Sequence, residues 1–273
     1  MTKIPSHFER HDTRSGRFYE IDGESYPSVT TLLEIIAKPA LLGWISKVER
    51  EMVIKVAGEL YQDCPVDKKM SAAAWQVTLN NRLGTAKASA KELAKAGEIG
   101  SQVHALIEWS LKAELLHDAG PSPRISDQAQ WAYMAWQNWR RRVHLKPLYV
   151  EQVVYSSEYG YAGTLDLVAE VNGVLTVLDW KTGKGVYNEA HLQNAAYRQA
   201  WREMKQGDPK QGLIVRLPKN VEDPEFEVEV EVVEAKPEEE MFPRFLDAAR
   251  LWMWQNEMNL EREKKKASLE KEA

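Results

Sequence analysis

A chain of 273 residues can bury one large core or two modest ones, enough to keep water out of a site. With 44% hydrophobic and 28% charged residues the composition is globular, and no apolar run approaches the roughly 20 residues that span a bilayer, which argues against a membrane partner. The 36 Lys and Arg against 41 Asp and Glu leave a formal charge of −5, so any contact with nucleic acid must use a local basic face.

In chain order, the first ten residues lack the apolar stretch of a secretory leader, and the single Cys64 cannot make an internal disulfide, so the expected compartment is the cytoplasm. Phe18 to Tyr26 alternates around Asp22-Gly23, a pair that accepts the positive φ of a tight turn, which predicts a small hairpin. From Pro27 the period changes. A helix starts with Ser28 or Thr30 as its N-cap, and Pro39 ends it or begins the next. Helical spacing then dominates to about Val143, broken near Asp63-Cys64-Pro65 and at Gly120-Pro121-Ser122-Pro123. After Pro147, Leu148 to Ser156, Gly163 to Val171 and Val174 to Lys181 read as three strands rich in Val, Leu and Tyr. An amphipathic helix from Glu189 to Lys205, strands from Gln211 to Leu217 and Phe226 to Val233, and a last helix from Pro237 to about Asn259 follow. Glu261 to Ala273 reads as a frayed helix or a disordered tail. The expected division is a mainly helical region 1–146, a sheet-bearing region 147–260 and a charged tail 261–273.

Chemistry concentrates on one hairpin. Asn172-Gly173 is the strongest two-residue turn signal, so Val171 faces Val174, and residues equally far from the turn oppose one another. Asp166 therefore lies opposite Asp179, in a non-hydrogen-bonded pair with Cβ atoms roughly 5 Å apart. Strand alternation puts Lys181 on the side of Asp179, while Leu178 and Trp180 point the other way. Like charges directly opposite destabilise a sheet, and a divalent cation that prefers oxygen ligands, Mg²⁺ or Mn²⁺, compensates them. Such a cation lowers the pKa of a bound water and neutralises charge that develops on a phosphate, and a lysine beside it can orient that water or stabilise the transition state. The plainer alternative is a solvated edge hairpin with ordinary surface charges. Against it, Leu167, Val168, Val177 and Leu178 put apolar residues on both faces, the pattern of an interior strand.

Gly163-Thr164-Leu165-Asp166, Leu178-Asp179-Trp180-Lys181-Thr182 and the stretch Gln193 to Tyr197 together resemble the motifs of the PD-(D/E)XK nuclease superfamily, and more narrowly of its RecB-like branch. His104, within Gly100-Ser101-Gln102-Val103-His104, matches the helical histidine that the branch carries upstream. Tyr26-Pro27-Ser28-Val29-Thr30-Thr31, with Trp44, is similar to the mitochondrial genome maintenance exonucleases and their phage relatives, so the resemblance runs from about Tyr26 to Leu217. It implies an α/β, restriction-endonuclease-like fold: a mixed sheet flanked by helices, behind a mainly helical N-terminal half. It implies that Asp166 and Asp179 ligate metal, that Lys181 is catalytic, and that His104 supplies or orients a further ligand. Glu108, one turn along from His104, and Glu151 are the weaker acidic candidates. Gln193 and Tyr197 share a helix face over the catalytic strands, where they touch substrate or support the lysine, and Thr182, Arg140 and Arg141 are further candidates for substrate contact.

Each of these also has a structural reading. His104 can be packing, Glu108 a solvated charge, Glu151 a strand-end surface carboxylate and Arg140 to Arg142 a solvated helix end. Trp131, Tyr133, Trp136 and Trp139 can stack single-stranded bases, although their helical spacing suits a core better. Cys64 alone cannot replace the four cysteines that hold an iron–sulfur cluster in several RecB-like enzymes, so none is expected. The function expected is a Mg²⁺- or Mn²⁺-dependent deoxyribonuclease, an exonuclease on single-stranded DNA or DNA ends in recombination, repair or replication, in a bacterial or phage-infected cell. A recombination or replication protein is a conceivable partner. The alternatives are a structure-selective or restriction-type endonuclease and, from another class, a non-catalytic nucleic-acid-binding module. Phe245, Leu246, Leu251, Trp252 and Trp254 on the last helix either complete the core or meet a partner.

Overall fold

The structure, a computed structural model, describes residues 7–13, 15–63, 70–85, 87–116, 120–218 and 229–272, with backbone alone for 258–272. Cys64-Pro65 and residues 226–228 of the last strand expected from sequence lie outside these. Three short strands, β1 (Phe8–Thr13), β2 (Gly16–Ile21) and β3 (Glu24–Pro27), form an antiparallel sheet in that order. The Asp22-Gly23 turn joins β2 to β3, with φ of 54° and 83°. No sequence signal marks β1, because every residue in it is exposed and apolar alternation is missing.

Ser28 caps α1 (Val29–Leu33) by accepting from the Thr31 amide. Pro39 opens α2 (Pro39–Asp63), where its missing N–H costs no helical bond. Then come α3 (Ala72–Leu83), α4 (Ala88–Leu116) and α5 (Asp127–Arg142). Glu49 of α2 accepts from the Ser89 amide and hydroxyl at 3.0 and 2.6 Å, which satisfies donors at the start of α4 that have no partner within the helix.

The second sheet runs β4 (Leu145–Ser156), β5 (Tyr161–Val171), β6 (Val174–Lys181), β7 (Gln211–Arg216) and β8 (Glu231–Glu234), in that order. β6 and β7 pair in parallel, and α6 (Asn188–Glu203) makes the crossover that a parallel pair requires. The chain closes with α7 (Glu238–Glu272). β4 begins at Leu145, earlier than expected, because a bulge between Pro147 and Tyr149 admits the proline into the strand.

Helices cover both faces of this sheet. On one, Leu167, Leu178 and Trp180 pack with Val103 and Ile107 of α4 and Trp136 of α5. On the other, Val168 and Val177 pack with Ala196 and Trp201 of α6 and Phe245 of α7. β5 and β6 are thus interior strands, in the mixed α/β arrangement expected from sequence. In the aromatic run of α5, Tyr133 and Trp136 are buried core, Trp139 packs against that core, and Trp131 is half-buried; Trp136 meets Trp180 edge-on at 6.2 Å. Likewise Phe245 and Trp252 of α7 are buried, whereas Leu251 and Trp254 are exposed.

The chain divides into two compact units, residues 1–36 with 99–273, and residues 37–98. Both sheets and every residue of the site described below belong to the first, and the boundary expected between 146 and 147 falls inside it. Among the described residues no helix is long and apolar enough to cross a membrane.

Candidate active site

The register read from the Asn172-Gly173 turn holds along the hairpin, from Val171 opposite Val174 to Leu167 opposite Leu178. Asp166 and Asp179 stand one step further out, where the ladder ends. The next inter-strand bond would run from the Trp180 amide to the carbonyl of Leu165. Instead Trp180 N–H donates to Asp166 Oδ2 at 2.6 Å. The strands therefore fork at the two aspartates, and the Asp166 carboxylate bridges the fork.

Two other elements reach this point. His104 of α4 places Nδ1 3.4 Å from Asp166 Oδ1. Glu151 lies on β4 between Val150 and Gln152, whose partners Leu167 and Leu165 flank Asp166, so it faces Asp166 across the ladder. Its φ of 50° is rare for a residue with a Cβ and breaks the strand's pleat at that spot. One ligand atom from each of His104, Glu151 and Asp166 lies within 4.8 Å of the others, a nitrogen–oxygen donor set that suits a divalent cation. Glu151 is therefore half-buried in mid-strand, and the strand-end surface reading of it fails.

Asp179 is 1% exposed, and its Oδ2 lies 2.7 Å from Lys181 Nζ. The ammonium also donates to Gln193 Oε1 at 2.9 Å, and Gln193 Nε2 donates to the Tyr197 hydroxyl at 3.2 Å. The ammonium can only donate, so it requires Gln193 Oε1 to face it and turns Nε2 toward the tyrosine. Tyr197 lies so close over β5 that a Cβ on Gly163 would come within 2.6 Å of its ring. Thr164, two residues before Asp166 on β5, is itself bonded to the hydroxyl of Tyr19 at 2.9 Å.

Charges this close and this dry shift one another. Burial, aided by Asp166, pushes Asp179 up to about 6 against the pull of Lys181. Burial, then Asp166 and Glu108, lifts Glu151 to about 8. For His104 burial acts downward, but Asp166 outweighs it and raises the imidazole to about 9. For Asp166 burial acts upward, yet His104, Lys181 and the Trp180 amide hold it below its ordinary value.

Asp179, Glu151 and His104 all titrate above their unfolded values, so the stability they contribute is full at low pH and is lost as pH rises through about 6, 8 and 9. A cation must displace those protons, so its affinity rises over the same window. Thermal midpoints in EDTA and in Mg²⁺ should diverge progressively from about pH 5 to about pH 9. A gap that stays constant would count against this cluster as the cation's seat.

The remaining expected residues are placed as follows. Glu108 is half-buried, 2.5 Å from Lys112, and close enough to raise Glu151. Thr182 follows β6 and is half-buried. Arg140 donates from Nη2 to both oxygens of Glu114, at 3.0 and 2.9 Å. Arg141 is exposed and touches Asn138 at 3.4 Å. Sequence reasoning underrated Glu151, although a signal existed: counting back from the four-residue turn between Ser156 and Tyr161 sets it against Asp166.

Residues 58–267 match the family model of the PD-(D/E)XK nuclease superfamily. The chain belongs to that superfamily. It is accordingly a metal-dependent nuclease with DNA as its substrate class, and the superfamily's divalent-metal chemistry matches the donor set just described. No curated protein matches the nuclease. Among solved structures it is similar to the crystal structure of SSO0001, at 12% identity over 57% of this chain and 74% of that one, with a TM-score of 0.27.

Proposed function

We propose that this nuclease is an exodeoxyribonuclease of the RecB-like branch, acting with Mg²⁺ or Mn²⁺ on single-stranded DNA or DNA ends in recombination, repair or replication. Residues 147–260 form its catalytic core, and the helical region before them contributes His104. The observation that carries the reading is the continuous constellation around the fork: His104, Glu151 and Asp166 on one side, Asp179 with Lys181, Gln193 and Tyr197 on the other.

In this proposal Asp166, Asp179, His104 and Glu151 hold the cation, with Glu108 tuning Glu151 by its charge. The bound cation lowers the pKa of a water and offsets charge on the phosphate. Lys181 keeps one ammonium proton toward Asp179 and one toward Gln193, leaving the third to meet the attacking water or the phosphate oxygen. Gln193 and Tyr197 position that ammonium, and Thr182 and Arg141 lie on the substrate side.

Exonuclease action is supported by the likeness of the Tyr26 to Leu33 segment to the mitochondrial and phage exonucleases. Ser28 of that segment bridges to Ala162 on β5, next to Gly163. Linear and circular single strands of the same sequence separate the modes. An exonuclease degrades the linear form and leaves the circle intact with Mg²⁺ present. Cutting of the circle at a comparable rate would replace the proposal by an endonuclease.

A further inference from the structure

We propose that Glu9, His11 and Glu20, with His7 beside them, form a second metal site on the exposed ladder of β1 and β2, suited to a borderline transition cation such as Zn²⁺. Glu9 and His11 are two apart on β1, so their side chains project on the same side, and His7 immediately precedes the strand. The register sets Glu20 of β2 directly opposite Glu9. Two carboxylates in direct cross-strand opposition repel, and a positive charge between them removes the penalty.

The separations favour a cation over direct bonding. His11 Nε2 lies 3.6 Å from Glu9 Oε2 and 3.9 Å from Glu20 Oε2, and His7 Nε2 lies 3.7 Å from Glu9 Oε1. All three exceed the ordinary hydrogen-bond range of about 2.7–3.2 Å. Around a tetrahedral zinc with bonds of about 2.1 Å, neighbouring donors sit roughly 3.4 Å apart. The ligand atoms of Glu9, His11 and Glu20 lie within 4.8 Å of one another and their side chains are solvent-accessible, so closing on such an ion is a matter of rotamer adjustment.

Imidazole nitrogen with carboxylate oxygen selects Zn²⁺ or its neighbours over Mg²⁺, which prefers oxygen and water. The site lies on a different sheet from the nuclease centre, whose own histidine and carboxylates are His104, Glu151 and Asp166. It is also placed to brace it: Tyr19, adjacent to Glu20 on the ladder's other side, holds Thr164 on the strand of Asp166.

The test is a Zn²⁺ titration of the full chain carrying Asp166→Asn and His104→Ala, with excess Mg²⁺ present, so that the nuclease centre cannot supply the signal. The expected result is one saturable Zn²⁺ per chain, with affinity lowered about 10-fold or more by His11→Ala and by Glu20→Gln, each judged folded by circular dichroism. In the same titration the imidazole proton resonances of His7 and His11 shift while those of His191 do not. Absence of a saturable site, or binding that neither substitution weakens, would overturn the proposal.

Discussion

Asp179→Asn is expected to abolish turnover, by on the order of 10²- to 10⁴-fold in kcat, while leaving the metal-free protein at least as stable at pH 8 as the parent. The carboxylate is 1% exposed and raised to about 6, so ionising it opposes folding at pH 8, and a neutral amide of the same shape removes that burden. Lys181→Ala should give a comparable loss of turnover with the opposite effect on the ion. Its ammonium lies 2.7 Å from Asp179 Oδ2 and competes with a cation for that oxygen, so divalent metal binds more tightly once it is gone. Kinetics with a metal titration separate the two variants. If both lost metal affinity equally, Lys181 would be a structural partner of Asp179 and not the group that meets the reacting phosphate.

The second large effect is on stability, at Gly212. Asn194 of α6 is fully buried and donates to the Val177 carbonyl at 3.1 Å, which ties the helix to β6 directly beside the site. A Cβ on Gly212 would lie 1.9 Å from Asn194 Oδ1 and 2.9 Å from the Ala235 side chain. Gly212→Ala must therefore displace a buried amide from its partner as well as crowd two elements. Overpacking costs about 1–3 kcal/mol, and leaving a buried polar group unpaired costs about as much again, so a loss of roughly 2–5 kcal/mol is expected. Denaturant unfolding measures it directly. Gly173→Ala is the control, since open space surrounds that glycine and only its positive φ is strained.

Much of this architecture can be read from the chain because its signals are local. Asn172-Gly173 sets the hairpin register, Ser28 and Ser126 cap their helices, and apolar residues on both faces mark β5 and β6 as doubly covered strands. What escapes reading depends on contacts or on the absence of a pattern. β1 is wholly exposed and has no apolar period to betray it. Glu151 joins the site only through the turn after Ser156 and an unusual φ, neither carried by its own neighbours in sequence. The fork at Asp166 is likewise tertiary: a side chain takes the place of a main-chain acceptor, and strand periodicity continues past it unchanged. The Arg140 contact is tertiary too: its Nη2 meets both oxygens of Glu114, 26 residues away in sequence.

The central claim is that phosphodiester hydrolysis takes place at the fork between β5 and β6. The most direct measurement is nucleotide release from end-labelled single-stranded DNA, compared in Mg²⁺, in Mn²⁺ and in EDTA, for the parent chain and for Asp179→Asn and Lys181→Ala. Release that requires the cation and falls by at least about 10²-fold in both variants is the predicted result. Release that persists in EDTA, or that both substitutions leave intact, would contradict it.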